Sequence, residues 1–177
     1  MTDRQDQAYR EYVSERLPTF RRLAYLLCQD WHRADDLVQT TMVKLYLHWE
    51  RVAAATDRDA YARTVLVRVF LSERRTGWAR KVVLVDAAPE PVGVSEPDQA
   101  DVLAVRSALA GLPPRQRAVI VLRYYSDLSV DQTAEALSCT AGTVKSQTAK
   151  ALAALRRALP VDDAPDAPAT IRRGAGR

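Results

Sequence analysis

Small and apolar residues at Ala34, Leu37, Val38, Thr41, Leu45 and Trp49 follow the i, i+3, i+4, i+7 spacing of one helix face, and Asp30 stands ahead of them as an N-cap. A helix running to about Trp49 is expected, with that face in the core. Its opposite face carries Asp35, Asp36, Gln39, Val43, Tyr46 and Leu47. Apolar groups ringed by charge have two explanations, a partner site or a cover supplied by another helix of the same domain. From Asp59 to Lys81 the apolar residues spread almost around a further helix, whose end is basic and carries Trp78.

The pattern sharpens after Asp101. Val102 to Leu112 reads as a helix stopping at Gly111, and Pro113 and Pro114, where a missing amide donor costs nothing, open another that runs through LRYY to Tyr125. Ser129 and Gln132 have the spacing of a capping box for a short helix ending at Leu137. Ser138, Cys139 and Thr140 then turn the chain into a last helix from about Ala141 to Arg157. Ala134 is small where two crossing helices must approach closely, and Val144 is apolar where the second locks onto the first, as in a helix-turn-helix. Val144, Thr148, Ala151, Leu152 and Leu155 share one side of the last helix, and Lys145, Ser146, Ala149 and Lys150 lie on the other. Taken alone, this helix reads as an ordinary amphipathic one with a polar outer face. The caps and turn before it favour a recognition helix, whose cations, hydroxyl and small residue suit a major groove and whose N-terminus suits phosphate.

All nine prolines lie outside 19–88 and 115–159, so those two stretches can hold long helices. Asp86 to Ala100 is poor in large apolar residues and rich in proline and acid, which is linker composition, and the tail after Leu159 is similar. Neither block shows the strict alternation or tight-turn dipeptides of hairpins. The expected fold is all-α, with two small helical domains at 6–80 and 101–159, a flexible linker at 81–100 and a disordered tail at 160–177.

The chain has 177 residues, 47% of them hydrophobic, which fits one or two small domains with a core. No run approaches the about 18 apolar residues of a membrane span, and the charged N-terminus lacks a signal-peptide core, so a cytoplasmic protein without membrane insertion is expected. Cys28 and Cys139 are too far apart in sequence to suggest a disulfide framework. Cys28 and His32 stand one helical turn apart, but two ligands are too few for a structural metal, and helix packing is the simpler role. With His32 and His48 the only histidines and no Gly-rich phosphate loop, no catalytic constellation, cofactor or metal site is expected.

The formal charge of +4 gains meaning from its distribution. Residues 1–78 hold 13 basic and 11 acidic side chains, 79–100 hold 2 and 4, 101–159 hold 8 and 4, and 160–177 hold 3 and 3. The excess gathers around the recognition helix, as nucleic-acid binding requires. In the first block Arg63, Arg68, Arg74, Arg75, Arg80 and Lys81 are interleaved with Tyr61, Phe70 and Trp78. Such a mixture can neutralise phosphate and stack on unpaired bases, although a solvated helix end with Tyr61 and Phe70 in the core is the commoner arrangement.

Three blocks, DDLVQ (Asp35–Gln39), LPPRQRAVIVLRYY (Leu112–Tyr125) and GTVKSQT (Gly142–Thr148), occur in the order and spacing of the extracytoplasmic-function type of bacterial sigma factor. The chain resembles most closely the SigE-like branch of that family, over nearly all of its length outside the linker and tail. The resemblance implies sigma region 2, a linker and sigma region 4 in an alternative sigma factor that is not an enzyme. It implies binding to core RNA polymerase, with Asp35, Asp36, Gln39, Val43 and Leu47 docking on the clamp helices of the largest subunit. Tyr61, Arg63, Arg68, Arg74, Arg75 and Trp78 would engage and melt the -10 promoter element. Thr143, Lys145, Ser146, Ala149 and Lys150 would read the -35 element as duplex, with Arg115, Arg117 and Arg123 on backbone phosphates or the polymerase flap. The acidic linker would thread toward the RNA exit path, and an anti-sigma factor is a further partner the family allows.

Four residues depart from the family pattern. Arg68 stands where Asn is usual, Ser138 replaces the usual Gly of the helix-turn-helix turn, and Thr40 and Thr41 replace a common acidic position. Ser138 implies either a turn without a left-handed residue or one that carries about 1 kcal/mol of strain. The competing reading is a free-standing helix-turn-helix regulator that binds a palindrome as a dimer, and would hold DNA tightly without polymerase.

Overall fold

The long first helix, α1 (Asp3–Cys28), buries Tyr12, Phe20, Leu23, Ala24, Tyr25 and Leu27 along one side. It runs unbroken through Pro18, which removes one ladder bond, to the Ser14 carbonyl. The computed structural model describes residues 3–75 and 99–159, and no strand occurs among them. Gln29 ends α1 in a left-handed conformation (φ 59°), its N–H donating to the Tyr25 carbonyl at 2.7 Å. This tight reversal lets Asp30 cap α2 (Trp31–Leu47) by accepting from the Arg33 amide at 3.0 Å. The predicted core face of α2 is buried throughout, from Ala34 to Leu45. The helix stops two residues early, because the chain turns at His48 and Trp49 begins α3 (Trp49–Ala54), yet the Trp49 ring stays in the core.

Asp57 opens α4 (Arg58–Arg75) by accepting from the Ala60 amide at 2.8 Å. Aromatic contacts tie this end of the bundle together. Tyr12 lies 5.5 Å from Trp49 and donates to Asp59 at 2.9 Å, while Tyr9 donates to the Met42 carbonyl at 2.9 Å. The expected continuation of the fourth helix to Lys81, most of the 81–100 linker and the 160–177 tail lie outside the described residues.

The second half starts at Gln99, two residues inside the expected linker, with α5 (Gln99–Ala110). Pro113 then caps α6 (Pro114–Ile120), which widens into a π-helical turn over Val121–Tyr125, marked by the Ser126 N–H donating to the Val121 carbonyl at 3.0 Å. The predicted single helix through LRYY is therefore two kinds of helix. Next come α7 (Val130–Leu137) and α8 (Ala141–Ala158).

The two halves share one buried cluster. Ala118, Val121, Leu122, Leu128 and Ala136 of the second half join a core that includes Leu27, Leu66, Val67 and Phe70 of the first. Polar contacts cross the same boundary: Arg117 donates to the Leu27 carbonyl at 2.8 Å, and the Arg106 guanidinium lies 5.3 Å from the Tyr25 ring centre.

Candidate nucleic-acid interface

The short helix α7 is held at its start by a full capping box. Ser129 Oγ accepts from the Gln132 amide at 3.1 Å, and the Gln132 side chain accepts from the Ser129 amide at 2.8 Å. Its end is Ser138, left-handed at φ 51° and ψ 52°, so the turn does carry the backbone conformation that glycine adopts without strain. Thr140 caps α8, accepting from the Thr143 amide at 3.1 Å. Val144 is fully buried against Val119 and Ala134, which fixes the angle at which α8 leaves α7. With that side locked inward, Lys145, Ser146, Ala149 and Lys150 are exposed on the other. Thr143 is half-buried, its hydroxyl 2.9 Å from that of Thr140.

On α2 the opposite face is open. Val43 is 58% exposed and Leu47 68%, and none of the described helices covers them. Asp36 and Gln39 are exposed beside them. Asp35 is half-buried in a two-pronged pair with Arg21, at 2.6 and 3.0 Å, and Arg21 also lies over the Trp31 ring at 5.7 Å. The pairing raises the Arg21 pKa further and orients the Asp35 carboxylate. Arg21 had no signal in the sequence, because it sits on α1 and reaches the face only after α1 and α2 pack.

The basic set on α4 is divided. Tyr61 is half-buried against the core, Phe70 is wholly inside it, and Arg63 pairs with Asp57 at 3.7 Å. Arg68 projects toward the second half, where its Nε donates to the Ala136 carbonyl at 2.9 Å. One Nη donates to the Glu135 carbonyl at 3.0 Å and to Ser138 Oγ at 3.1 Å. Arg74 and Arg75 are the last two residues of α4, and Trp78, Arg80 and Lys81 lie outside the described residues.

Arg117 requires a correction. Expected on a phosphate or the flap, it is 5% exposed and donates to the Leu27, Ala110 and Leu112 carbonyls. Its charge serves helix ends, leaving Arg115 as the exposed cation of the three. Arg123 is half-buried with one Nη on the Leu128 carbonyl. The π turn also leaves Tyr124 and Tyr125 exposed, a pair that helical periodicity alone did not single out.

The Cys28 Sγ donates to the Asp30 carbonyl, and burial pushes its thiol pKa up to about 11. His32 is exposed, and among the described residues no three metal-ligating side chains converge. No described helix is long and apolar enough to cross a membrane.

Comparison with known proteins accounts for this arrangement. The family model described as Sigma-70 region 2 matches residues 12–80, and that described as Sigma-70, region 4 matches residues 103–155. The RNA polymerase sigma-E factor of Streptomyces coelicolor is 38% identical over 160 residues, which is 88% of each chain. The ECF RNA polymerase sigma factor SigL of Mycobacterium tuberculosis is 35% identical over 156 residues, 85% of this chain and 88% of that one. Among solved structures, a chain in the complex of the sigma factor RpoE with the anti-sigma factor NepR from Bartonella quintana superposes with a TM-score of 0.73 at 27% identity, covering 88% of this chain and 99% of that one. The chain belongs to the extracytoplasmic-function group of bacterial RNA polymerase sigma factors, non-catalytic proteins of transcription initiation.

Proposed function

We propose that this sigma factor contacts core polymerase through α2, using Asp35, Asp36, Gln39, Val43 and Leu47, and reads its promoter with two separate surfaces. Thr143, Lys145, Ser146, Ala149 and Lys150 of α8 read the -35 element. Tyr61, Arg63, Arg68, Arg74, Arg75 and Trp78, on α4 and beyond it, engage the -10 element. The functional units are region 2 at 6–80 and region 4 at 101–159, connected by 81–100 and followed by the 160–177 tail. The protein works in the cytoplasm, where an anti-sigma factor is its natural regulator. That last element is supported by the solved relative bound to an anti-sigma factor.

One observation carries the reading: the α8 face with Lys145, Ser146, Ala149 and Lys150 is exposed while Val144 behind it is fully buried. The helix is fixed from behind and open in front, as major-groove reading requires. The test is retention on immobilised core polymerase and specific transcription in vitro. Leu47→Glu abolishes retention while leaving the helical circular dichroism intact. Retention of that variant would remove α2 from the interface, and tight operator binding without polymerase would favour the free-standing regulator.

A further inference from the structure

The two most conspicuous departures from the family pattern, Arg68 and Ser138, touch each other. Arg68 lies across the C-terminal end of α7, with donors on two main-chain carbonyls, Glu135 and Ala136, and on Ser138 Oγ. A helix C-terminus is the negative end of its dipole and leaves carbonyls without helical partners, so a guanidinium fork is well matched to it. An Asn at 68 would be too short to span the three acceptors, and a Gly at 138 would offer no hydroxyl. Beneath these bonds lies the shared apolar cluster of Ala136, Leu122 and Val121 with Leu66, Val67 and Phe70. Arg68 and Ser138 are themselves exposed, so the polar layer can exchange its partners for water at a lower cost than the buried Arg117, while each bond still favours the closed form.

This closed arrangement conflicts with the promoter geometry. Elements centred near -10 and -35 lie about 25 base pairs apart, or about 85 Å at the rise of duplex DNA. A compact body of the 134 described residues (73 in 3–75 and 61 in 99–159) has a radius of gyration of about 14 Å, so its two reading surfaces cannot reach both elements at once.

We propose that Arg68 and the Ser138 end of α7 form a latch that holds region 4 on region 2 in the free protein, and that engagement of polymerase and promoter requires its release. The inference rests on the functional reading above, in which the two halves engage separate promoter elements. Apparent affinity for core polymerase is then lowered by the fraction of molecules that are open.

The test uses the full chain and core polymerase without DNA, so that any role of Arg68 at the -10 element does not enter. Ser138→Gly removes one latch bond while relieving a left-handed residue, and raises the open-to-closed ratio about fivefold; Arg68→Ala removes all three and raises it about tenfold or more. Small-angle scattering reads the opening as a larger radius of gyration. Titration with core polymerase reads it as an apparent Kd that falls in the same order. Circular dichroism confirms that both variants remain helical. An unchanged radius of gyration in both variants overturns the latch. Opening without any binding of core polymerase by wild type or variant leaves the latch standing and overturns the functional reading.

Discussion

Arg117→Met separates an architectural cation from a nucleic-acid contact. The wild-type guanidinium donates to the Leu27 carbonyl at 2.8 Å, Ala110 at 2.6 Å and Leu112 at 3.1 Å, the first at the end of α1 and the second at the end of α5. Methionine keeps most of the hydrocarbon stem and removes every donor. Each carbonyl stranded in the interior costs about 1–3 kcal/mol, while removal of a buried charge returns part of its desolvation cost. The stranded acceptors outweigh that return, because two of the three bonds lie in the buried region, and a net loss of about 2–4 kcal/mol is expected. At a urea slope of about 1–3 kcal/mol per molar, the midpoint falls by roughly 1–2 M. Urea unfolding followed by circular dichroism measures it. An unchanged midpoint together with lost DNA or polymerase binding would restore Arg117 to the surface role that the sequence suggested and refute the capping argument.

Three further outcomes follow from the same geometry. Lys145→Ala and Lys150→Ala each weaken binding of the polymerase holoenzyme to a -35 element by about 1–3 kcal/mol where a base contact is lost and less for a phosphate contact; equal affinity in a filter-binding titration would take α8 out of the groove. Ser129→Ala breaks the capping box and lowers stability by about 1 kcal/mol, visible as a shifted urea midpoint, with no shift expected only if the box is not formed. Cys28, with its thiol raised from 9.0 to about 11 by burial, contributes stability that is intact below pH 9 and lost as pH rises through 11. At pH 8 in a Cys139→Ser background, thiol labelling is therefore about a hundredfold slower in the folded than in the urea-unfolded protein, and equal rates would contradict a buried thiol.

Much of the local architecture was legible because it depends on neighbours in sequence. The Asp30 and Ser129 caps, the core face of α2 and the turn at Ser138 all follow from spacings within one or two helical turns. The partner-or-cover ambiguity at Val43 and Leu47 was not soluble that way, since periodicity gives a face and only tertiary packing gives its cover. The break at His48 and the π turn at Val121 escaped for a related reason, because residues on both sides are compatible with continuous helix. Arg117 was misplaced for another: its acceptors are main-chain carbonyls, that of Leu27 lying 90 residues away, and a carbonyl leaves no mark in the sequence; the carbonyls that Arg68 meets, 67 or more residues away, were invisible for the same reason.

Cations engaged by internal carbonyls change the meaning of the charge count. The 8 basic residues against 4 acidic ones in 101–159 suggested a cationic surface around the recognition helix. Arg117 is inside, however, and Arg123 is directed at the Leu128 carbonyl, so six cations remain to face outward or toward region 2. Arg106 is one of these, and it lies over Tyr25. Across the two halves, Arg117 meets the ends of α1 and α5 and Arg68 meets the end of α7, where the helix dipole is negative. The same residue type thus supplies both internal helix-end partners and external phosphate partners, and composition cannot divide them. In the proposed reading, what remains for DNA is a small set of cations, chiefly Lys145 and Lys150 on an exposed and rigidly backed face. A weak general field with a few placed contacts suits a protein that depends on polymerase to hold it at DNA, because little affinity is then lost to nonspecific sites.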